Sequence, residues 1–288
     1  MREVDVSEAG RAVSAAIELA SGFGLAVDEA RVVCNSNKLA LRLLPCDVLL
    51  RVALVGQEAF RFEIEIARPL AEHGSPVAGL DMRVEPSVYE RDGFAFTFWR
   101  YYEQSGIEPS AAAYATALER LHVGMAQLDV IAPHFSERVT EAQRLVASRD
   151  RAPRLADPDR ELLSRTLQSC GRMISERSSR EQLLHGEPHP GNVLTAAEGL
   201  LFIDFETCCR GPVEFDLAHV PQAVGEAYVG ADRELIQECR RLVLAMVAAW
   251  RWDLDDQFPN GERAGRALVS ALRAGPPPWP TLDVVMNE

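Results

Sequence analysis

The hydrophobic pattern shifts from strand-like runs in the first third to helical spacing beyond Ser110, which confines the chain to a fold with a sheet at one end and helices at the other. Residues 7–21 read as an opening helix. Short β-like runs follow at Ala30–Cys34, Lys38–Leu44, Val48–Leu54 and Phe94–Trp99. Asn35-Ser36-Asn37 and Pro45-Cys46-Asp47, both turn chemistry, separate the first three, so three consecutive antiparallel strands are predicted. A helix from about residue 56 to 73 interrupts them, with Phe60, Ile64 and Ala67 spaced to face inward.

From Ser110, placed as an N-cap, Tyr114, Leu118, Leu121, Met125 and Leu128 form one apolar stripe. Asp157-Pro158 reads as a cap and first-turn proline opening a helix toward residue 178, with Leu163, Leu167, Cys170 and Ile174 on one side. Val193–Thr195 and Leu200–Phe205 read as a β-hairpin, and a long apolar helix follows near Leu235–Trp250. Gly275-Pro276-Pro277-Pro278 stops helix formation and leaves a tail expected to be extended or loosely docked. The expectation is an α+β chain: residues 1–99 form a small antiparallel-sheet lobe with one inserted helix, and residues 100–288 a larger, mainly helical lobe, with a cleft between them.

With 288 residues, 47% hydrophobic and 25% charged, the chain is long enough to bury a sizeable core and is not disordered. A net charge of -13 argues against nucleic acid or an anionic membrane as partner, since both are polyanions, and suits a cationic ligand. The apolar run Leu242–Trp250 falls short of the roughly 20 residues a span needs. The N-terminal residues lack a secretory pattern and the six scattered cysteines read as reduced packing residues, so a cytoplasmic location is expected.

The chemistry-bearing segment is His185-Gly186-Glu187-Pro188-His189-Pro190-Gly191-Asn192, followed by Ile203-Asp204-Phe205. Counted from the hairpin turn near Glu198, Asn192 and Asp204 are equidistant and should face each other at its open end. An amide oxygen and a carboxylate brought together suit a hard cation such as Mg²⁺. His185 and His189 have zinc-site spacing, but the glycine and prolines around them deny the helix such a site needs.

The order His-x-acid-x-x-x-x-Asn, a hairpin and Asp-Phe resembles the catalytic loop and metal-binding segment of the protein-kinase-like fold. With Gly211-Pro212 and Asp216-Leu217-Ala218 after it, the segment resembles the aminoglycoside phosphotransferase family of small-molecule kinases. That resemblance implies a two-lobed kinase-like fold and an ATP- (or GTP-) and Mg²⁺-dependent transfer of a phosphoryl group to a hydroxyl of a small, cationic acceptor, such as an aminoglycoside-like antibiotic or an amino alcohol. It places Glu187 where the family has its catalytic aspartate, Asn192 and Asp204 as metal ligands, and His185 and Asp216 as supports of the loop. Glutamate adds one methylene, so the same departure also admits an attenuated or inactive pseudokinase that binds nucleotide or a partner.

At the nucleotide end the resemblance implies that Asn35 and Ser36 cover the phosphates and that Arg51 stands in for the phosphate-binding lysine, because the one lysine, Lys38, lies on another strand. Helical phase selects Glu63 over Glu65 as the carboxylate that fixes Arg51. Trp99 and Tyr101 fall at the interlobe linker as nucleotide contacts. Glu226, Asp232, Glu234, Glu238, Asp253, Asp255 and Asp256 gather toward the C-terminus and would form an acidic acceptor wall.

Overall fold

The computed structural model describes residues 6–35, 38–56, 58–178 and 180–287. Helix α1 (Val6–Gly22) precedes strands β1 (Val27–Asn35), β2 (Leu39–Pro45) and β3 (Val48–Leu54), then α2 (Ala59–Glu72), β4 (Tyr89–Arg91) and β5 (Phe94–Arg100). The strands form one antiparallel sheet in the order β1-β2-β3-β5-β4. Alternate residues Leu39, Leu41 and Leu43 of β2 and Val48, Leu50 and Val52 of β3 are buried against Ala12, Ala15, Ala16 and Ala20 of α1. Four small side chains let the helix approach the sheet closely.

Phe94, Phe96 and Phe98 of β5 join that core, and the intervening Ala95 packs with Ala53 and Phe60 of α2 on another side. Strand β4 escaped the sequence reading although its signal is present. Asp92-Gly93 takes positive φ at both residues, 52° and 85°, and Arg91 pairs directly with Phe94, the two-residue hairpin such a dipeptide favours. Helix α2 starts at Ala59 rather than near residue 56, and its inward face is Phe60, Glu63, Ile66, Ala67 and Leu70. Ile64, expected inside, is half-buried, because the stripe follows the i, i+3, i+7 line through Glu63.

Onward come α3 (Ala111–Met125), α4 (Phe135–Ala147), α5 (Asp157–Arg177), β6 (Gln182–Leu184), the hairpin β7 (Val193–Ala196) and β8 (Gly199–Phe202), and β9 (Cys209–Gly211). Helices α6 (Val213–Leu217), α7 (Gln222–Ala227), α8 (Arg233–Trp250), α9 (Gly261–Ala274) and α10 (Leu282–Asn287) complete the chain. Two units result. One runs to Ile107 and takes in Leu194–Glu206, and the other holds Glu108–Val193 and Thr207–Glu288. The hairpin is tied into the first unit by Ala78 N donating to Phe202 O (3.0 Å), Phe202 N to Pro76 O (2.8 Å) and Ser105 N to Thr195 O (2.7 Å).

In the second unit α4, α5, α8 and α9 share one core that includes Leu163, Leu167, Ile174, Leu242, Val243 and Leu268. Ser110 caps α3 as expected, its side chain accepting from Ala113 N. Asp157 is not the cap of α5. Ala156 takes that position without a side-chain bond, and Asp157 lies inside the first turn, paired with Arg149. The tail also differs from expectation: α10 docks, with Trp279 and Val285 in the core, because the prolines redirect the chain onto α8 and α9. Among the described residues no helix is long and apolar enough to cross a membrane.

Candidate active site

Two sets of functional side chains form, one in each unit. In the first, Arg51 on β3 donates Nη1 to Glu63 Oε1 and Nη2 to Asp204 Oδ1, the latter at 3.0 Å. Lys38, just before β2, meets Glu63 Oε2 at 3.3 Å, Glu206 Oε2 at 2.5 Å and Asp204 Oδ1 at 3.7 Å. Phe60 of α2 lies beneath both cations, 5.0 Å from Lys38 Nζ and 5.9 Å from the Arg51 guanidinium. Register explains the pairing: Ala40 of β2 faces Arg51, so the start of β2 and the middle of β3 deliver their cations side by side.

Glu63 is fully buried and Glu65 exposed, so the carboxylate chosen by helical phase is the one that engages Arg51. Asp204 follows β8 with φ at 68°, and Phe205 anchors the next turn in the core. Burial would raise the Asp204 carboxyl, but Arg51 and Lys38 hold it below the ordinary aspartate value. Two cations and three carboxylates thus neutralise one another in a single cluster. Removing one member of such a buried set costs about 3–5 kcal/mol.

Lys38 and Glu206 were not singled out from sequence. The available signal was scarcity: of 30 Lys and Arg residues only position 38 is lysine. It was set aside because it does not sit on the strand of Arg51, yet the antiparallel register brings it to the same carboxylates. Asn35 ends β1 opposite Leu39 and is exposed. Ser36 lies outside the described residues. Trp99, read as a nucleotide contact, has its side chain closed into the core with its indole N–H donated to Thr97 Oγ1 at 2.8 Å. Tyr101 stacks under the Arg42 guanidinium, 3.7 Å from ring centre to Cζ.

The second set is built on the loop after β6. Asp216 of α6 is fully buried and accepts from His185 N (3.0 Å), Gly186 N (2.8 Å) and His122 Nε2 (2.9 Å). Burial alone would raise its carboxyl, but these donors and the neighbouring histidines hold it below the ordinary value. Gly186 has φ at 89°, and a Cβ there would lie 2.0 Å from Thr207 O, so the turn admits glycine alone. From the other side Tyr114 donates its hydroxyl to Pro188 O at 2.7 Å.

Held in this way, Glu187 directs its carboxylate to Arg138 Nη2 of α4. Burial would raise Glu187, but Arg138, with His219 and His189, keeps it below the ordinary glutamate value and therefore ionised at neutral pH. Asn192 donates Nδ2 to Glu187 O at 3.0 Å, which sets its amide and leaves Oδ1 as an acceptor. The hairpin ladder runs only from Val193 to Phe202, so Asn192 closes a short 3₁₀ turn and Asp204 follows the strand end in left-handed backbone. Neither continues the ladder as the equidistance count assumed.

The C-terminal acidic residues are largely committed within their own unit. Asp232 caps α8 and pairs with Arg177, which also takes Glu234. Asp253 pairs with Arg151 and Asp256 with Arg251, while Glu238 accepts from Cys170 and Glu226 from Gln222. The expected acidic wall is mostly a set of ion pairs and caps.

A model of the phosphotransferase enzyme family matches residues 42–238. No curated protein sequence matches the chain. Among solved structures, the GDP and kanamycin complex of APH(2")-IIia is similar with a TM-score of 0.71 at 16% identity, over 91% of this chain and 99% of that one. Amicoumacin kinase hAmiN in complex with AMP-PNP and Ca²⁺ gives 0.68 at 12% identity, over 97% and 100%. A choline/ethanolamine kinase family protein from Mesorhizobium loti gives 0.67 at 16%, over 98% and 99%. At these identities the likeness shows the fold, a kinase-like one with a small antiparallel-sheet part and a helical part.

Proposed function

Because the chain belongs to the phosphotransferase enzyme family, whose members act on small molecules, we propose that it moves the γ-phosphoryl group of ATP or GTP to a hydroxyl of a small amino-bearing acceptor, with Glu187 as base. The Glu187 carboxylate, ion-paired to Arg138 on a loop fixed by Asp216 and Tyr114, is the observation that carries this. Solved neighbours bound to AMP-PNP or to GDP support a purine nucleotide as donor.

The acceptor oxygen forms the new bond to phosphorus as the bond to the β-phosphate oxygen breaks, its electron pair leaving with the nucleoside diphosphate. The hydroxyl proton passes to Glu187. Lys38 and Arg51 would pair with the nucleotide phosphates, with Glu63 holding both cations in place. The Asp204 carboxylate of the first unit and Asn192 Oδ1 of the second are each a hard oxygen donor of the kind Mg²⁺ takes, and such an ion, when bound, would neutralise charge developing in transfer.

The test is nucleoside-diphosphate release with nucleotide and Mg²⁺ across aminoglycosides, other hydroxylated antibiotics and amino alcohols. Acceptor-dependent release, lost in Glu187→Ala and retained in part by Glu187→Asp, is the expected result. Release that survives Glu187→Ala at the wild-type rate would remove Glu187 as base.

A further inference from the structure

The backbone on both sides of Glu187 is pinned within its own unit. Gly186 N donates to Asp216 Oδ1 at 2.8 Å, Tyr114 donates its hydroxyl to Pro188 O at 2.7 Å, and Asn192 Nδ2 donates to Glu187 O at 3.0 Å. With the main chain fixed at three points, the place of the carboxylate depends on the side chain alone, and glutamate has one more free torsion than aspartate. Arg138 removes that freedom. Its Nη2 takes Glu187 Oε1, the one hydrogen bond to this side chain among the described residues. Glu187 Oε2 has no hydrogen-bond partner and is not enclosed, the side chain keeping 27% of its surface exposed.

The pair is single-pronged. The Arg138 guanidinium is steadied 5.2 Å from the Trp250 ring centre, yet its Nη1 is buried with no hydrogen-bond partner. A guanidinium fork and a carboxylate can pair through two parallel bonds, and a buried donor left unpaired is costly, so stability alone would favour the two-pronged form. That form would occupy both carboxylate oxygens. The one observed anchors Oε1 and leaves Oε2 free for a hydroxyl. Pairing with a cation weakens the carboxylate as a base, but phosphoryl transfer is governed mainly by positioning and charge stabilisation. A misplacement of about 1 Å can cost about a hundredfold in rate, so position outweighs base strength.

We propose that Arg138 is the positioning residue of Glu187, anchoring Oε1 so that Oε2 meets the acceptor hydroxyl, and that it serves only a side chain of glutamate length. An aspartate on the same pinned backbone ends one methylene short, about 1.5 Å at most, and loses the anchor. This rests on the phosphotransferase reading above, with Glu187 as base.

The experiment is a double-mutant cycle of wild type, Arg138→Met, Glu187→Asp and the double variant, with Arg138→Lys as the conservative replacement. Diphosphate release is followed with ATP and Mg²⁺ against kanamycin, choline and ethanolamine, and against water alone. AMP-PNP calorimetry, circular dichroism and thermal midpoints are measured on the same proteins. Arg138→Met alone should lower kcat by roughly ten- to a hundredfold with KM within about twofold, and Arg138→Lys should recover part of the loss. In the Glu187→Asp background Arg138→Met should change kcat by less than about twofold, because the anchor is already lost. AMP-PNP affinity and circular dichroism should stay at wild-type values throughout. If Arg138→Met unfolds, Arg138→Lys in both backgrounds gives the same comparison. Equal losses in the two backgrounds, or a loss carried by KM, overturn the positioning role and leave phosphotransfer standing. Absence of release from wild type with every acceptor, alongside non-additive thermal midpoints, refutes the transfer reading and reduces Arg138 and Glu187 to a structural pair.

Discussion

Replacing Asp216 by asparagine removes one acceptor from a place where three donors converge. In the best amide orientation Oδ1 keeps His185 N and His122 Nε2, now at 3.0 and 2.9 Å, while the NH₂ group is turned against Gly186 N–H, at present 2.8 Å from a carboxylate oxygen. The alternative orientation strands two donors and is worse. The better one leaves a buried backbone N–H and an amide N–H unsatisfied, each costing about 1–3 kcal/mol. The expected loss is therefore about 2–6 kcal/mol, a large share of the roughly 5–15 kcal/mol that holds a domain together. Urea unfolding followed by both far-ultraviolet circular dichroism and tryptophan fluorescence measures it. A loss below about 1 kcal/mol with an unchanged m-value would show that these three bonds do not anchor the loop.

Gly186→Ala must fold poorly or not at all, because its Cβ would sit 2.0 Å from a backbone oxygen at a φ of 89°; a soluble variant with wild-type melting behaviour would refute the close approach. Lys38→Met should weaken AMP-PNP binding by roughly tenfold or more, read by calorimetry, and unchanged affinity would confine Lys38 to bracing Glu63. His219, buried with Nε2 unpartnered, has its pKa pushed down to about 4 by burial, with Glu187 opposing and Arg138 assisting. Its folded value lies below the unfolded value of about 6.5, so the unfolded chain binds the extra proton between them and stability falls as pH drops from about 6.5 to 4, by about 3 kcal/mol. His219→Leu should flatten that limb, and an unchanged slope would exclude this histidine as its source. Trp279→Ala should cost about 3–5 kcal/mol if the C-terminal tail is integral to the core, and a cost below about 1 kcal/mol would show it is not.

Where a physical rule acts over a few residues, the sequence was a sufficient guide. The turn at Pro45-Cys46-Asp47, the Ser110 cap and the amphipathic phase that selected Glu63 over Glu65 each depend on neighbours one helical turn away or less. The loop from His185 to Asn192 was legible through its resemblance to a family motif, while its glycine and prolines ruled out a helix there. Ile64 was misplaced because the closely spaced apolar residues of α2 allow two neighbouring stripes, and only the sheet beneath α2 selects between them.

By itself the sequence determined an α+β chain with its sheet first, the order of its principal strands and helices, and the identity of the residues on the catalytic-type loop. Tertiary structure alone decided that Lys38 joins Arg51 across a strand pair to meet Glu63, Asp204 and Glu206, that Arg138 of α4 holds Glu187, and that the tail beyond the prolines docks through Trp279. The partners in the contacts not foreseen lie 25 to 153 residues apart where the hydrogen bonds link them. Charge pairing at that separation depends on where packing and strand register bring the chain together, and no local periodicity encodes that distance.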